Sequence, residues 1–136
     1  MSRSKIRAAF EIALNDMAPP LATAFENELF TKPDAGTPYQ ECWLLAGRPD
    51  NSSLGSAHYI DIGVFQISVK YPLGDSSGPA DQRAELIATR FKRGTTLSSG
   101  GVNVLITRTP HIGIGRKQDD CYRLDISISY QADIFP

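Results

Sequence analysis

The sequence is poor in the residues that most neutral-pH chemistry uses: it has two histidines, two cysteines and one tryptophan in 136 residues. Only His58 and His111 could exchange protons near neutrality without a pKa shift, and neither has a partner suggested by sequence. Cys42 and Cys121 lie far apart, in no C-x-x-C pair and at no density that would staple a secreted scaffold, so both read as reduced, partly buried side chains. Charge of one sign is also missing. Fourteen basic residues face fifteen acidic ones, for a net charge of -1, which leaves no global pull toward a nucleic-acid backbone or an anionic membrane. Apolar runs all break well short of the ~20 residues needed to cross a bilayer, and the start, Met1 to Lys5, leads into an amphipathic pattern and not a signal-peptide core. The protein is expected to stay in the cytoplasm.

What is present is an ordinary core. With 41% hydrophobic and 21% charged residues, the chain can bury enough apolar surface to fold as one domain, 1–136, without disulfides or metal. Between Ser4 and Met17, the residues Ile6, Ala9, Phe10, Ala13, Leu14 and Met17 recur every three or four positions, one face of a helix that Pro19 and Pro20 end. Leu21 to Phe30 is read as a strand on Thr23 and Phe25, although Ala22, Glu26, Glu28 and Leu29 tolerate helix. After an exposed connection, Thr31 to Pro38, the residues Tyr39, Glu41, Trp43 and Leu45 alternate with Gln40, Cys42 and Leu44 as a second strand. Arg48 to Ala57 carries Pro49, Asp50, Asn51, Ser52, Ser53 and Gly55, and is expected to be a mobile loop.

The clearest strand puts Phe65, Ile67, Val69 and Tyr71 on one face, and Gln66, Ser68 and Lys70 on the other. A second helix starts at Pro79, carries Ala80, Ala84, Ile87, Ala88 and Phe91 as its apolar stripe, and closes at Gly94. Past the turn Ser98-Ser99-Gly100-Gly101, Val102, Val104 and Ile106 mark one strand, and Leu124, Ile126, Ile128 and Tyr130 mark another. The polar segment Pro110 to Asp120 between them reads as a long hairpin turn. The expected order is α-β-β-β-α-β-β, an α+β two-layer sandwich with both helices on one face of a mostly antiparallel sheet. The other face, with Gln66, Ser68, Lys70, Arg123, Asp125 and Ser127, is left for water or a neighbouring subunit.

No motif for chemistry emerges. Gly94 to Gly101 lacks the spacing of a nucleophile elbow, Gly113-Ile114-Gly115 does not open a helix, and no phosphate-binding loop is present. The two histidines and two cysteines share no zinc-ligand spacing. Asp119 and Asp120 are adjacent and point apart, while Asp81 and Glu85 lie on a polar helix face, so both pairs read as solvated surface. Arg90, Lys92 and Arg93, with Arg108, Arg116 and Lys117, could make a local basic patch, but those at the helix end read first as complements to its dipole. Trp43 reads first as core packing, with an interface anchor as its other role. No enzymatic activity and no cofactor are expected.

Several segments, in order, carry a family resemblance. Phe30-Thr31 through Gly36-Thr37-Pro38-Tyr39-Gln40, Pro49-Asp50-Asn51 with Leu54-Gly55, Gly63-Val64-Phe65-Gln66-Ile67 and Tyr71-Pro72-Leu73-Gly74 make up the first half. Arg83-Ala84-Glu85-Leu86, Phe91-Lys92-Arg93-Gly94, Ser98 to Val102, Arg108-Thr109-Pro110, Ile112-Gly113 and Ile128 to Gln131 continue it. Together they resemble a bacteriophage and prophage family related to tail terminators of the gpU type. The resemblance implies a ring, expected to be a hexamer, on the end of a completed tail tube, with the tube protein and a head-proximal neck protein as partners. It also implies assembly in the host bacterial cytoplasm and a final place in the virion tail. Neither a membrane nor a specific nucleic-acid sequence is an expected partner. No residue inherits a role from the family, so Trp43, Asp50, Asn51, Leu54, Arg93 and Arg116 are candidate interface positions on their own chemistry. Loops 31–38 and 49–57 flank the Trp43 strand and are expected to order together on contact. A head-tail connector or head-completion protein is the alternative, since small α+β neck proteins share folds. A hydrolase or nuclease would need clustered carboxylates or a histidine pair, which the sequence does not show.

Overall fold

A computed structural model describes residues 2–26, 28–34, 36–49, 51, 58–74, 76–118 and 120–135. Helix α1 spans Ser2–Asn15 and buries Ile6, Ala9, Phe10, Ala13 and Leu14, the stripe expected from their spacing. It stops two residues before the expected end because the chain tightens there: the Met17 amide donates to the Leu14 carbonyl, three residues back and not four. Helix α2, Gly78–Arg90, starts on a proline and buries Ala80, Arg83, Ala84 and Ile87. Phe91 caps it, and Gly94 follows in the left-handed region at φ 91°, a conformation that glycine adopts without strain.

Among the described residues, eight strands form one sheet: β1 (Ala22–Ala24), β2 (Tyr39–Ala46), β3 (Tyr59–Pro72), β4 (Thr96–Ser99), β5 (Val102–Ile106), β6 (His111–Ile112), β7 (Arg116–Gln118) and β8 (Cys121–Ile134). The order is β1-β2-β3-β8-β5-β4, with β6 and β7 also paired to β8, and among the described residues only the β1–β2 pair is parallel. The long β3 and β8 pair along their whole length, from Tyr59 opposite Ile134 to Pro72 opposite Cys121. The opposite edge of β8 is covered by β7, β6 and β5 in succession. Between them the Gly113 amide donates to Asp125 O at 2.8 Å and the Thr107 amide to Ser129 O at 3.1 Å.

The α+β class is as expected, but the order is α-β-β-β-α-β-β-β-β-β, with ten elements in place of seven. The segment expected to be a long hairpin turn contains β6 and β7. Gln118 and Cys121 pair directly, and Asp119 between them in sequence lies outside the described residues. The residues before Ser98 also belong to a strand: Leu97 is buried opposite Val104, and Gly100 and Gly101, both at positive φ, close the tight β4–β5 hairpin. The Leu21 to Phe30 strand contracts to β1, three residues.

Both helices pack into one apolar cluster with the inward residues of the sheet. Phe10 sits at its centre, stacked on Phe65 and in ring contact with Phe91 and Tyr130. Beside it runs a buried polar chain. Arg83 donates to Pro19 O at 2.6 Å and to Gln40 Oε1 at 3.4 Å, and Gln40 Nε2 donates to Thr23 Oγ1 at 3.0 Å. That chain ties α2, β2 and β1 together and lets a glutamine sit where the core would otherwise exclude it.

Candidate functional site

The period of a strand decides the most informative position. Cys42 and Leu44 turn into the core, so Trp43, between them, turns away from it. The expectation of core packing for Trp43 is corrected: it is half-buried on the outward face, directly opposite Gln66 of β3, which is in turn opposite Ser127 of β8. One row further, Leu45 faces Val64, and Val64 faces Ser129. Beyond that Ile62 faces Gln131, and Gln131 faces Leu105 of β5. Leu45, Ile62 and Leu105 are 47%, 42% and 36% exposed. This half of the outward face therefore carries an apolar patch on β2 and β3, with a half-buried tryptophan at one end, and the polar Ser127, Ser129 and Gln131 of β8 separate it from Leu105.

The other half of the same face is charged and knitted together. Lys70 Nζ lies 2.9 Å from Glu41 Oε1. Asp125 accepts hydrogen bonds from Ser68 Oγ at 2.6 Å and Arg123 Nε at 2.8 Å, and Arg116 approaches its other oxygen at 3.5 Å. Burial pushes the Asp125 carboxyl up, but the Ser68 hydroxyl and the two guanidinium groups outweigh it and hold the carboxyl below the usual range. Arg123 also donates to Gln118 Oε1 at 2.7 Å, fixing the β7 hairpin against this cluster. The charges here are spent on one another, so the apolar patch is the part of the face with surface to offer.

Of the six positions singled out from the sequence, Trp43 and Arg116 share this outward face, about 13 Å apart along the strands and three strands apart across them, or about 20 Å in all. Arg93 is exposed in the turn after α2 and does not join them. Asn51 is exposed at the rim of a cleft of about 370 Å³ that is also lined by Arg3, Leu44, Tyr59, Asp61 and Tyr130. Asp50 and Leu54 lie outside the described residues, as does most of the loop 49–57. Leu45, Ile62, Val64 and Leu105 were not singled out. Their signal was apolar character at positions that the strand period gives to the face away from the core.

Of the groups with potential chemistry, Cys42 is packed in the core and the two histidines lie apart from each other. The Cys42 thiol is pushed up to about 12, first by burial and then by the negative field of Glu11, which leaves it protonated and unreactive at neutral pH. His58 lies 3.0 Å from Asp133 and stacks on Phe135, whereas His111 sits opposite Ser127, about 20 Å away along β8. Among the described residues no three of His, Cys, Asp and Glu gather in a metal-binding group, and no helix is long and apolar enough to cross a membrane.

A solved structure with 30% sequence identity superposes with a TM-score of 0.78, covering 100% of this chain and 99% of that one. No curated protein sequence matches the chain significantly. The family model described as phage tail terminator protein matches residues 5–130, from the first turn of α1 to Tyr130 near the end of β8. The match runs through every element that builds the outward face, and the chain belongs to the phage tail terminator family, whose role is a structural one in assembling the phage tail.

Proposed function

We propose that this protein closes the end of a finished tail tube as a ring of identical subunits, taken to be six, which stops tube polymerisation and offers its far side to a neck protein. The observation that carries the reading is the outward sheet face of a terminator-family chain, where Trp43, Leu45, Ile62 and Val64 form an apolar patch without a covering element among the described residues, and Leu105 is exposed across the polar column of β8. An aromatic anchor in an apolar patch, bordered by charges already paired, is the composition of a protein interface core with its rim. Trp43 and Arg116 belong to that interface. Asn51 and Arg93, with Asp50 and Leu54 outside the described residues, are assigned to the remaining contacts with neighbouring subunits, the tube and the neck. Subunits are made in the host cytoplasm and end in the virion tail.

The test is electron microscopy of particles from a phage lacking this gene. Tails of uncontrolled length are the expected result. Tails of normal length that fail to join heads would instead assign the protein to the head-tail connection, and normal tails on normal heads would remove it from both roles.

A further inference from the structure

The sheet has two unlike ends. Among the described residues, β4 at one end pairs only with β5; at the other, β1 covers β2 for three residues, Tyr39 to Glu41, and then leaves it. Gly47 donates its amide to Ile62 O on β3, and the antiparallel alternation then turns the amide of Leu44 the other way, toward the edge that β1 has left. That amide is not left to water. Glu26, two residues past the end of β1, places Oε1 2.9 Å from Leu44 N, and Arg7 of α1 brings its Nε to 3.4 Å from the same oxygen. A carboxylate thus occupies the position where the carbonyl of an added strand would accept. Charged side chains set into an open edge are a known means of stopping a further strand from pairing.

We propose that Glu26 is a removable guard on the β2 edge, and that the strand it excludes belongs to a second copy of this chain, which pairs there once the carboxylate is displaced. A second copy is the fitting occupant because each chain carries the other, unlike edge at β4, so pairing of edge to edge runs head to tail, the arrangement a closed ring needs. Backbone pairing supplies affinity with little demand on side chains. The inference rests on the reading that the chain works by assembling with its own copies. It adds a reason why subunits stay apart before they meet a tube.

Two variants test it in the full-length protein. Glu26→Ala removes the acceptor, and Glu26→Gln keeps an oxygen at the same reach. Analytical ultracentrifugation should show Glu26→Ala forming larger species than the wild type at the same concentration, with Glu26→Gln close to wild type. Hydrogen exchange at the Leu44 amide should be slow in the wild type, on the order of tenfold faster in dilute Glu26→Ala, and slow again in its associated form. A folded Glu26→Ala with wild-type association overturns the proposal. If that variant does not fold, the wild type decides alone, because rapid exchange at Leu44 would show that the guard is not in place. Either failure leaves the tail-length experiment untouched, so the loss of the guard and the loss of the ring reading can be told apart.

Discussion

Phe10 of α1 lies flat on Phe65 of β3, with ring centroids 4.5 Å apart and planes inclined by 9°. Both side chains are fully buried, so the contact joins helix to sheet at the centre of the core. An aromatic pair of this kind adds roughly 0.5–1.5 kcal/mol to the burial of its area, and truncating a buried phenylalanine also leaves a cavity. Phe65→Ala is expected to cost about 3–5 kcal/mol, read from the urea midpoint at unchanged m-value. A loss below about 1 kcal/mol would mean that α1 does not pack there as described.

Elements whose own residues carry a period are legible in the sequence. Phe65, Ile67 and Val69 face inward against Gln66, Ser68 and Lys70; Leu124, Ile126, Ile128 and Tyr130 do the same on β8; Pro79 and Gly94 bracket α2. Strands β6 and β7 have two and three residues, too few to show any period, and exist because β8 is long enough to hold them along its edge. The outward turn of Trp43 was hidden for a different reason. Gln40 and Cys42 lie on the core-facing row, and a glutamine there is acceptable only because Arg83 and Thr23, remote in sequence, satisfy it. A local pattern cannot report a partner 43 residues away. Likewise the Glu26 contact with the Leu44 amide needs the path of the chain after β1, which no spacing in the sequence encodes.

The Asp125 cluster predicts an acid-dependent loss of stability. The folded carboxyl titrates below its unfolded value near 3.8, so the ionised form is the one that the fold favours. Its contribution is fully present above that unfolded value and falls away as pH drops through the lower folded one. Asp125→Asn should therefore lower stability at pH 7 and reduce the slope of stability against pH below about 4, as measured by denaturant titration across pH 2–7. An acid slope identical to that of the wild type would show that Asp125 gains nothing from Ser68 and Arg123.

Glu11 predicts the opposite sign. Burial first, then the nearby carboxylates Glu28 and Glu26, raise its folded pKa above the ordinary value, with Arg7 opposing them. The fold thus prefers the protonated form, and stability attached to this site is present below the unfolded pKa and lost as pH rises through the folded one. Glu11→Gln mimics the favoured form. It should raise the melting temperature at pH 7 and leave it nearly unchanged at pH 3, and a fall at pH 7 would refute the assignment.

The outward patch makes the prediction closest to function, because it separates a surface role from a packing role. Leu45 is 47% exposed at the end of β2, and an exposed leucine changed to lysine ordinarily alters stability by no more than about 0.5 kcal/mol. If the patch is an interface core, the same change buries a charge without a partner when a neighbouring protein closes over it, a cost far above that surface value. Leu45→Lys is therefore expected to melt with the wild type and to fail in complementing phage that lack the gene. Trp43→Ala should behave in the same direction with a larger functional deficit, since the aromatic anchor is lost, but part of its effect will be on stability because the ring is half-buried. The comparison between the two is what decides. Full complementation by a stable Leu45→Lys protein would place the interface elsewhere on the molecule, and a Leu45→Lys protein that does not fold would show that the patch supports the sheet itself.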